Sequence, residues 1–202
     1  MKSPFLVFEE FASPLMCEEL VDLVNFNVPN TDNQGNFVHT PKTSDASEAL
    51  LFDWLQQALP MIEHHYGVQY RGMERIHFDW FPIGTSAAHK ADNSSFVKGK
   101  WLRISPRDFS IVLFLSDYQD KPPFDEEFEV YGGKLEFPQH RFSFNPKRGT
   151  LLVFPSDPHF IHCISRVFAG DLYMARTFIT CQQPFIYDPK LYPGDFSTWF
   201  KG

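Results

Sequence analysis

Cysteine is scarce and unpaired in this sequence. The three present, Cys17, Cys163 and Cys181, form no Cys-x-x-Cys pair and are odd in number. A disulfide framework is therefore not expected, and a reducing cytosol is the natural setting. No apolar run approaches the ~20 residues needed to span a bilayer. The start, Met1-Lys2-Ser3-Pro4-Phe5, lacks the long apolar core of a signal peptide. A cytoplasmic protein with no membrane partner is the expectation. Positive charge is in deficit as well: the net charge is -7, which argues against nucleic acid as the main partner. One local basic patch, Lys98, Lys100, Arg103 and Arg107, reads as a solvated loop. Internal repeats, low-complexity tracts and long linkers are also absent.

What remains is a chain of 202 residues, the size of one domain with a substantial core. Three stretches divide it: an N-terminal helical support over 1–69, a core over 70–182 and a C-terminal extension over 183–202. After a short strand at Phe5-Leu6-Val7-Phe8, Ser13 and Pro14 form a helix start, since Ser can cap and Pro suits the first turn. That helix is expected to reach about Asn25 with Leu15, Leu20, Val21 and Val24 on its buried face. A polar loop through Pro29, Asn30, Asp32, Asn33 and Gly35 follows. A second helix is expected over Asp45 to Gln57, broken or kinked at Pro60 and continued to Tyr66-Gly67.

From Tyr70 short runs of Phe, Val, Ile and Leu alternate with Gly, Pro, Asn and Asp. Strands are predicted near 70–82, 108–117, 127–131, 134–137, 150–154, 161–167 and 171–180. Helices followed by many short strands give an α+β chain whose β part is a sandwich or barrel. The 23 Phe residues favour packed sheet faces over a helical bundle. A double-stranded β-helix, or jelly roll, closes about eight such strands naturally, with the N-terminal helices packed on one sheet. Periodicity alone leaves an immunoglobulin-like sandwich open.

Two histidines and a carboxylate can close a facial triad on Fe(II) and leave the other faces of the ion open. His162 opens an apolar segment soon after the strand Thr150–Phe154, and His89 lies close to Asp92 upstream. Alternatives exist at both ends. His77-Phe78-Asp79 puts a His and a carboxylate on one strand face, and His159 and His140 lie near His162.

The order of motifs resembles the prolyl-4-hydroxylase-like branch of the Fe(II)/2-oxoglutarate dioxygenases over roughly residues 70 to 182. A strand ending Trp80-Phe81, then Gly84, leads into His89-Lys90-Ala91-Asp92, where the family has His-x-Asp. The strand Ile111–Asp117 follows, then Gly132-Gly133-Lys134-Leu135-Glu136-Phe137, then Gly149 to Ser156, a distal His and Gly170. The resemblance implies His89, Asp92 and His162 as iron ligands. Two features depart from the pattern. His89 and Asp92 are separated by two residues instead of one, and the family's cosubstrate Arg is Leu172 here.

For the missing cation the last strand offers Arg176, which alternates onto one face with Leu172, Met174 and Phe178. A guanidinium on an apolar face needs an anion. The far carboxylate of 2-oxoglutarate is one such anion, an internal Asp or Glu another. Arg166 and Arg103 are weaker candidates. The resemblance implies Fe(II) and 2-oxoglutarate, with ascorbate as a reductant, and hydroxylation of a prolyl residue in a protein or peptide. A small-molecule substrate and a non-catalytic jelly-roll binding module are the other readings. Asn93–Arg107, with Trp101, is expected to form a lid or substrate loop. Asp120 to Glu129 is a candidate rim loop.

Overall fold

The structure is a computed structural model that describes residues 2–23, 45–122 and 128–192. The predicted polar loop after the first helix lies outside these residues, as do parts of the acidic rim stretch and of the C-terminal extension. In chain order the first elements are β1 (Leu6–Phe8), α1 (Pro14–Leu23), α2 (Asp45–Tyr66), β2 (Tyr70–Met73), β3 (His77–Phe81), β4 (Ala87–Lys90), β5 (Ser94–Val97) and β6 (Lys100–Arg103). Next come β7 (Phe109–Phe114), β8 (Asp117–Tyr118), β9 (Glu129–Gly132), β10 (Leu135–Phe137) and β11 (Phe142–Phe144). The chain continues through β12 (Leu151–Pro155), β13 (His162–Ile164), β14 (Val167–Gly170) and β15 (Leu172–Cys181).

Ser13 caps α1 as its sequence implies, its Oγ accepting from the Met16 N–H at 3.3 Å. The buried stripe differs from the expected one. Cys17 and Leu20 are buried and Met16 and Val21 pack beside them, whereas Leu15 is 76% exposed. Residues 16, 17, 20 and 21 recur at helical spacing and Leu15 falls outside that arc. The end of the helix predicted near Asn25 lies beyond the described residues. Pro60 does not break the second helix: α2 runs through it and continues to Tyr66 as expected. Pro60 sits on the exposed side, while Leu55, Ala58, Leu59, Ile62 and Tyr66 are buried in phase on both sides of it. Continuous burial offsets the ~3 kcal/mol that an interior proline costs a helix. Neither helix is long and apolar enough to cross a membrane.

Antiparallel pairing builds a six-stranded sheet in the order β1-β12-β7-β15-β2, with β3 paired to the other half of β15. A four-stranded sheet, β11-β10-β13-β4, faces it. This is the jelly-roll core expected from the sequence, with the helices on the outer face of the larger sheet. Alternation along the strands feeds two cores. Ile111, Leu113, Leu151, Val153, Ala175 and Ile179 pack with the helices, while Val112, Phe114, Leu152, Phe154, Leu172 and Met174 pack toward the smaller sheet. The Tyr66 hydroxyl closes the helical layer onto the sheet, 2.8 Å from the Pro4 carbonyl and 3.0 Å from that of Val153.

The single predicted strand over 70–82 is two strands separated at Glu74-Arg75-Ile76, and 161–167 is likewise divided between β13 and β14. The predicted lid segment contains a two-stranded hairpin, β5-β6. Lys98 and Gly99, at φ +49° and +80°, form its two-residue turn, which demands the left-handed region at both positions. Its basic patch is only half solvated: Arg103 bonds Asp108 and Arg107 pairs with Glu74.

Asp108 ties the end of this segment to the core. Its carboxylate accepts from Arg103 at 2.9 Å, from the Cys181 N–H at 2.8 Å and from the Phe185 N–H at 2.9 Å. Asp108→Ala would leave two backbone donors unpaired near the core, so a loss of about 3 kcal/mol is expected. Urea unfolding with an unchanged slope and a lowered midpoint would measure it.

Candidate functional site

Between the two sheets lies a cavity of about 360 Å³, lined from β3, β4, β7, β10, β13 and β15. Its walls are apolar, with Ile111, Val112, Leu135, Ile164, Met174 and Phe178 among them. Its polar groups are Asp79, His89, Lys90, Asp92, Ser110, His162 and Arg176.

His162 begins β13 just after a 3-10 turn, Pro158–Phe160, which Asp157 caps by accepting from the His159 N–H at 2.8 Å. The His162 Nδ1 lies 3.0 Å from the Phe160 carbonyl. A carbonyl can only accept, so Nδ1 carries a proton and a neutral ring presents its lone pair at Nε2. That Nε2 faces Asp92 Oδ2 at 3.3 Å. Asp92 Oδ2 also accepts from Ser110 Oγ at 2.8 Å, and Ser110 Oγ meets Ser156 Oγ at 2.8 Å. A lone pair aimed at a carboxylate is repulsive without a positive charge nearby. Lys90 supplies one, its Nζ 2.9 Å from Asp92 Oδ1, in an ion pair whose angle falls outside hydrogen-bond alignment. Burial opposes charge on Asp92, but in acid, where His162 is protonated, its charge together with Lys90 and Ser110 outweighs burial and holds the carboxyl at about 2. Burial pushes His162 below the ordinary imidazole value, more than Asp92 raises it.

The structure thus brings Asp92 and His162 together but does not add His89. β4 pairs with β13 so that His162 stands opposite Lys90 and Ile164 opposite Ala87, with a register shift between. Directly opposed residues share a face, so register alone makes Lys90 the residue aligned with His162; Lys90 and His89 are both exposed residues of the cavity wall. Among the described residues no group of three or more His, Cys, Asp or Glu side chains is placed to hold a metal ion. The alternatives are engaged elsewhere. Asp79 pairs with Arg176, His159 Nδ1 meets Asp157 at 2.8 Å, and His140 Nε2 meets the His159 carbonyl at 2.8 Å. Lys90 itself escaped the sequence reading, although Lys90-Ala91-Asp92 has the one-residue spacing that His89 and Asp92 lack.

Arg176 lies on the cavity face of β15, and its Nε and Nη2 bond the Asp79 carboxylate. Asp79 belongs to β3, one diagonal step away, because Arg176 is directly opposite His77. Of the two anions the sequence offered this guanidinium, the structure supplies the internal Asp. Leu172 is fully buried in the inner core, and Arg166 is exposed.

Two facing antiparallel sheets, helices on one outer face and a pocket between the sheets make a jelly-roll fold. Solved structures similar to this chain include a viral collagen prolyl hydroxylase from Paramecium bursaria Chlorella virus-1, in complex with 2-oxoglutarate. It is 14% identical with a TM-score of 0.63, the match covering 90% of this chain and 97% of that one. A Trichoplax adhaerens prolyl hydroxylase bound to a hypoxia-inducible-factor peptide fragment is 14% identical with a TM-score of 0.64, covering 88% and 84%. A Pseudomonas putida prolyl-4-hydroxylase is 15% identical with a TM-score of 0.60, covering 90% and 94%. No family model matches the sequence, and no curated protein matches it either. The likeness is one of fold.

The groups this fold implies do not fit the residues present. A facial triad on Fe(II) takes three protein donors. Asp92 and His162 are two, and the position facing them holds an ammonium. An anchor for 2-oxoglutarate needs an available cation, whereas Arg176 is bonded to Asp79.

If the Arg176–Asp79 pair is structural, Asp79→Ala should destabilise the protein by about 3 kcal/mol, because it strands a cation beside Met174 and Phe178. The double substitution Asp79→Leu with Arg176→Met should recover most of that loss in chemical denaturation. Acid should destabilise the fold in two stages. His65, His77, His140 and His162 are all held below 6.5 by burial. Unfolded chains therefore bind more protons below that value, and stability falls as pH is lowered through it. Asp92, folded at about 2 against 3.8, adds stability above 3.8 that is lost as pH falls toward 2. A melting temperature unchanged between about pH 7.5 and about pH 5.5 would contradict the first stage.

Proposed function

We propose that the cavity receives a peptide segment and that this protein recognises it without iron-dependent hydroxylation. The observation that carries this reading is an apolar pocket whose polar groups are already paired with one another, Lys90 with Asp92 and Arg176 with Asp79. The segments adjoining the cavity-lining strands support it. β5-β6 leaves the cavity wall directly after Asp92 and carries Phe96, 61% exposed, across from Trp101, 40% exposed, with their rings 5.2 Å apart. Ile83, between β3 and β4, is exposed as well. Exposed aromatic groups beside a cleft are the usual anchors of a polypeptide ligand. The peptide-bound Trichoplax prolyl hydroxylase, of similar fold, supports a peptide over a small molecule.

The fold likeness itself favours a second reading: hydroxylation of a prolyl residue, or of a small molecule, with decarboxylation of 2-oxoglutarate to succinate. It requires a third metal donor and an unpaired cation, and His89 and Arg176 are the nearest residues of those types on the cavity wall. One experiment separates the two. A short Pro-Pro-Gly repeat peptide and a hypoxia-inducible-factor fragment are titrated against the protein by calorimetry. The same mixtures are then assayed for succinate with Fe(II), ascorbate, oxygen and 2-oxoglutarate. The expected result is saturable binding of one peptide and no succinate above a protein-free blank. Trp101→Ala should weaken that binding at least tenfold, about 1.4 kcal/mol. Peptide-stimulated succinate would establish the oxygenase, and absence of binding by both peptides would remove the peptide reading.

A further inference from the structure

The inner end of the cavity holds a buried carboxylate, an imidazole lone pair and an ammonium. Asp92 has 4% of its side chain exposed and His162 7%. Removing a carboxylate from water is expensive unless a counter-charge accompanies it, and Oδ2 also has a lone pair facing it across 3.3 Å. A divalent ion between the carboxylate and the imidazole would meet that demand. Here the demand is met from within the chain. Lys90 stands directly opposite His162 across β4 and β13 and reaches Asp92 Oδ1 at 2.9 Å.

We infer that the Lys90 ammonium is the resident cation of this pocket, holding the place a divalent metal ion would otherwise take. Three observations support it independently. Strand register aligns Lys90, not His89, with His162. The segment Lys90-Ala91-Asp92 has the spacing at which a first imidazole ligand and its carboxylate would stand, with lysine at the imidazole's position. An incoming ion would find only two donors, no third among the described residues, and a like charge beside it. Lys90, Asp92 and neutral His162 sum to zero charge, as do Arg176 and Asp79. The inner end therefore holds no surplus positive charge for a dianion such as 2-oxoglutarate, and the part of a ligand that enters it is expected to be uncharged.

The test uses Co(II) as a coloured probe of an N/O site on the full chain, read by visible absorption and by melting temperature. The parent protein should show no site-specific Co(II) band and no Co(II)-dependent rise in melting temperature. Lys90→His should restore a third donor and bind one Co(II) at least a hundredfold more tightly, and the band should vanish in Lys90→His with His162→Ala. Lys90→Ala, which leaves Asp92 without its cation, should melt lower than the parent and be stabilised by Co(II). A parent that binds one Co(II), lost on Asp92→Ala or His162→Ala, would overturn the inference. So would folded Lys90→His and Lys90→Ala proteins that bind Co(II) no better than the parent. None of these readouts involves a peptide, so they stand or fall apart from peptide recognition.

Discussion

The ten residues of β15 impose a constraint on which both cores depend. This strand pairs with β7 along one edge and with β3 and then β2 along the other, so it has no free edge over most of its length. Its period of two sends Leu172 and Met174 inward and Tyr173, Ala175 and Ile179 toward the helices. A slip of one residue would exchange the two sets and bury the wrong groups on both faces. Thr177, on the helix side, meets its buried position by donating to the Glu74 carbonyl at 2.8 Å. The inner face of this strand continues past Met174 to Arg176 and Phe178, which line the cavity opposite β4, β10 and β13.

Charge inside this fold is handled by local pairing. Asp79, Asp92 and Asp108 are all buried, and each has a basic partner, Arg176, Lys90 and Arg103 respectively. Asp108 adds two backbone donors, and Asp92 adds Ser110. These additional bonds matter, because an ion pair alone barely offsets the desolvation of its members. The same arrangement leaves the few polar groups of an apolar pocket neutral in balance. Its ligand therefore meets hydrogen-bonding groups whose charges are already spent on one another.

A fold shared with prolyl hydroxylases at 14–15% identity leaves the chemistry to the side chains between the sheets. Iron-dependent oxidation rests on three donors and an anion-binding cation. In this chain an ammonium stands opposite His162, and an internal carboxylate meets Arg176. Each of these groups has its partner within the pocket, Asp92 for Lys90 and Arg176 for Asp79.

The sequence by itself determined the architecture. Helices followed by short apolar strands punctuated by Gly, Pro and Asn specify an α+β chain with a sandwich or barrel, the order of motifs points to the jelly roll, and alternation along 172–178 identifies its inward face, because burial acts on every second residue of a strand. Asp92 and His162 were legible only through the resemblance, as two of three implied ligands, because the residues alone left His77, Asp79, His140 and His159 open. Leu15, Pro60 and the division of 70–82 were not legible. Whether a helix stripe begins one residue earlier, a proline lies on the solvent side or a strand breaks is set by the surface it packs against. The partners of the site were likewise a tertiary matter. Only the register of β4 against β13, with its shift between His162 and Ile164, turns Lys90 instead of His89 toward His162. Only the pairing of β3 with β15 brings Asp79 to Arg176. Spacing along a chain fixes which side of a strand a residue takes, but which residue meets it from another strand depends on a hydrogen-bond register that forms when the sheets assemble.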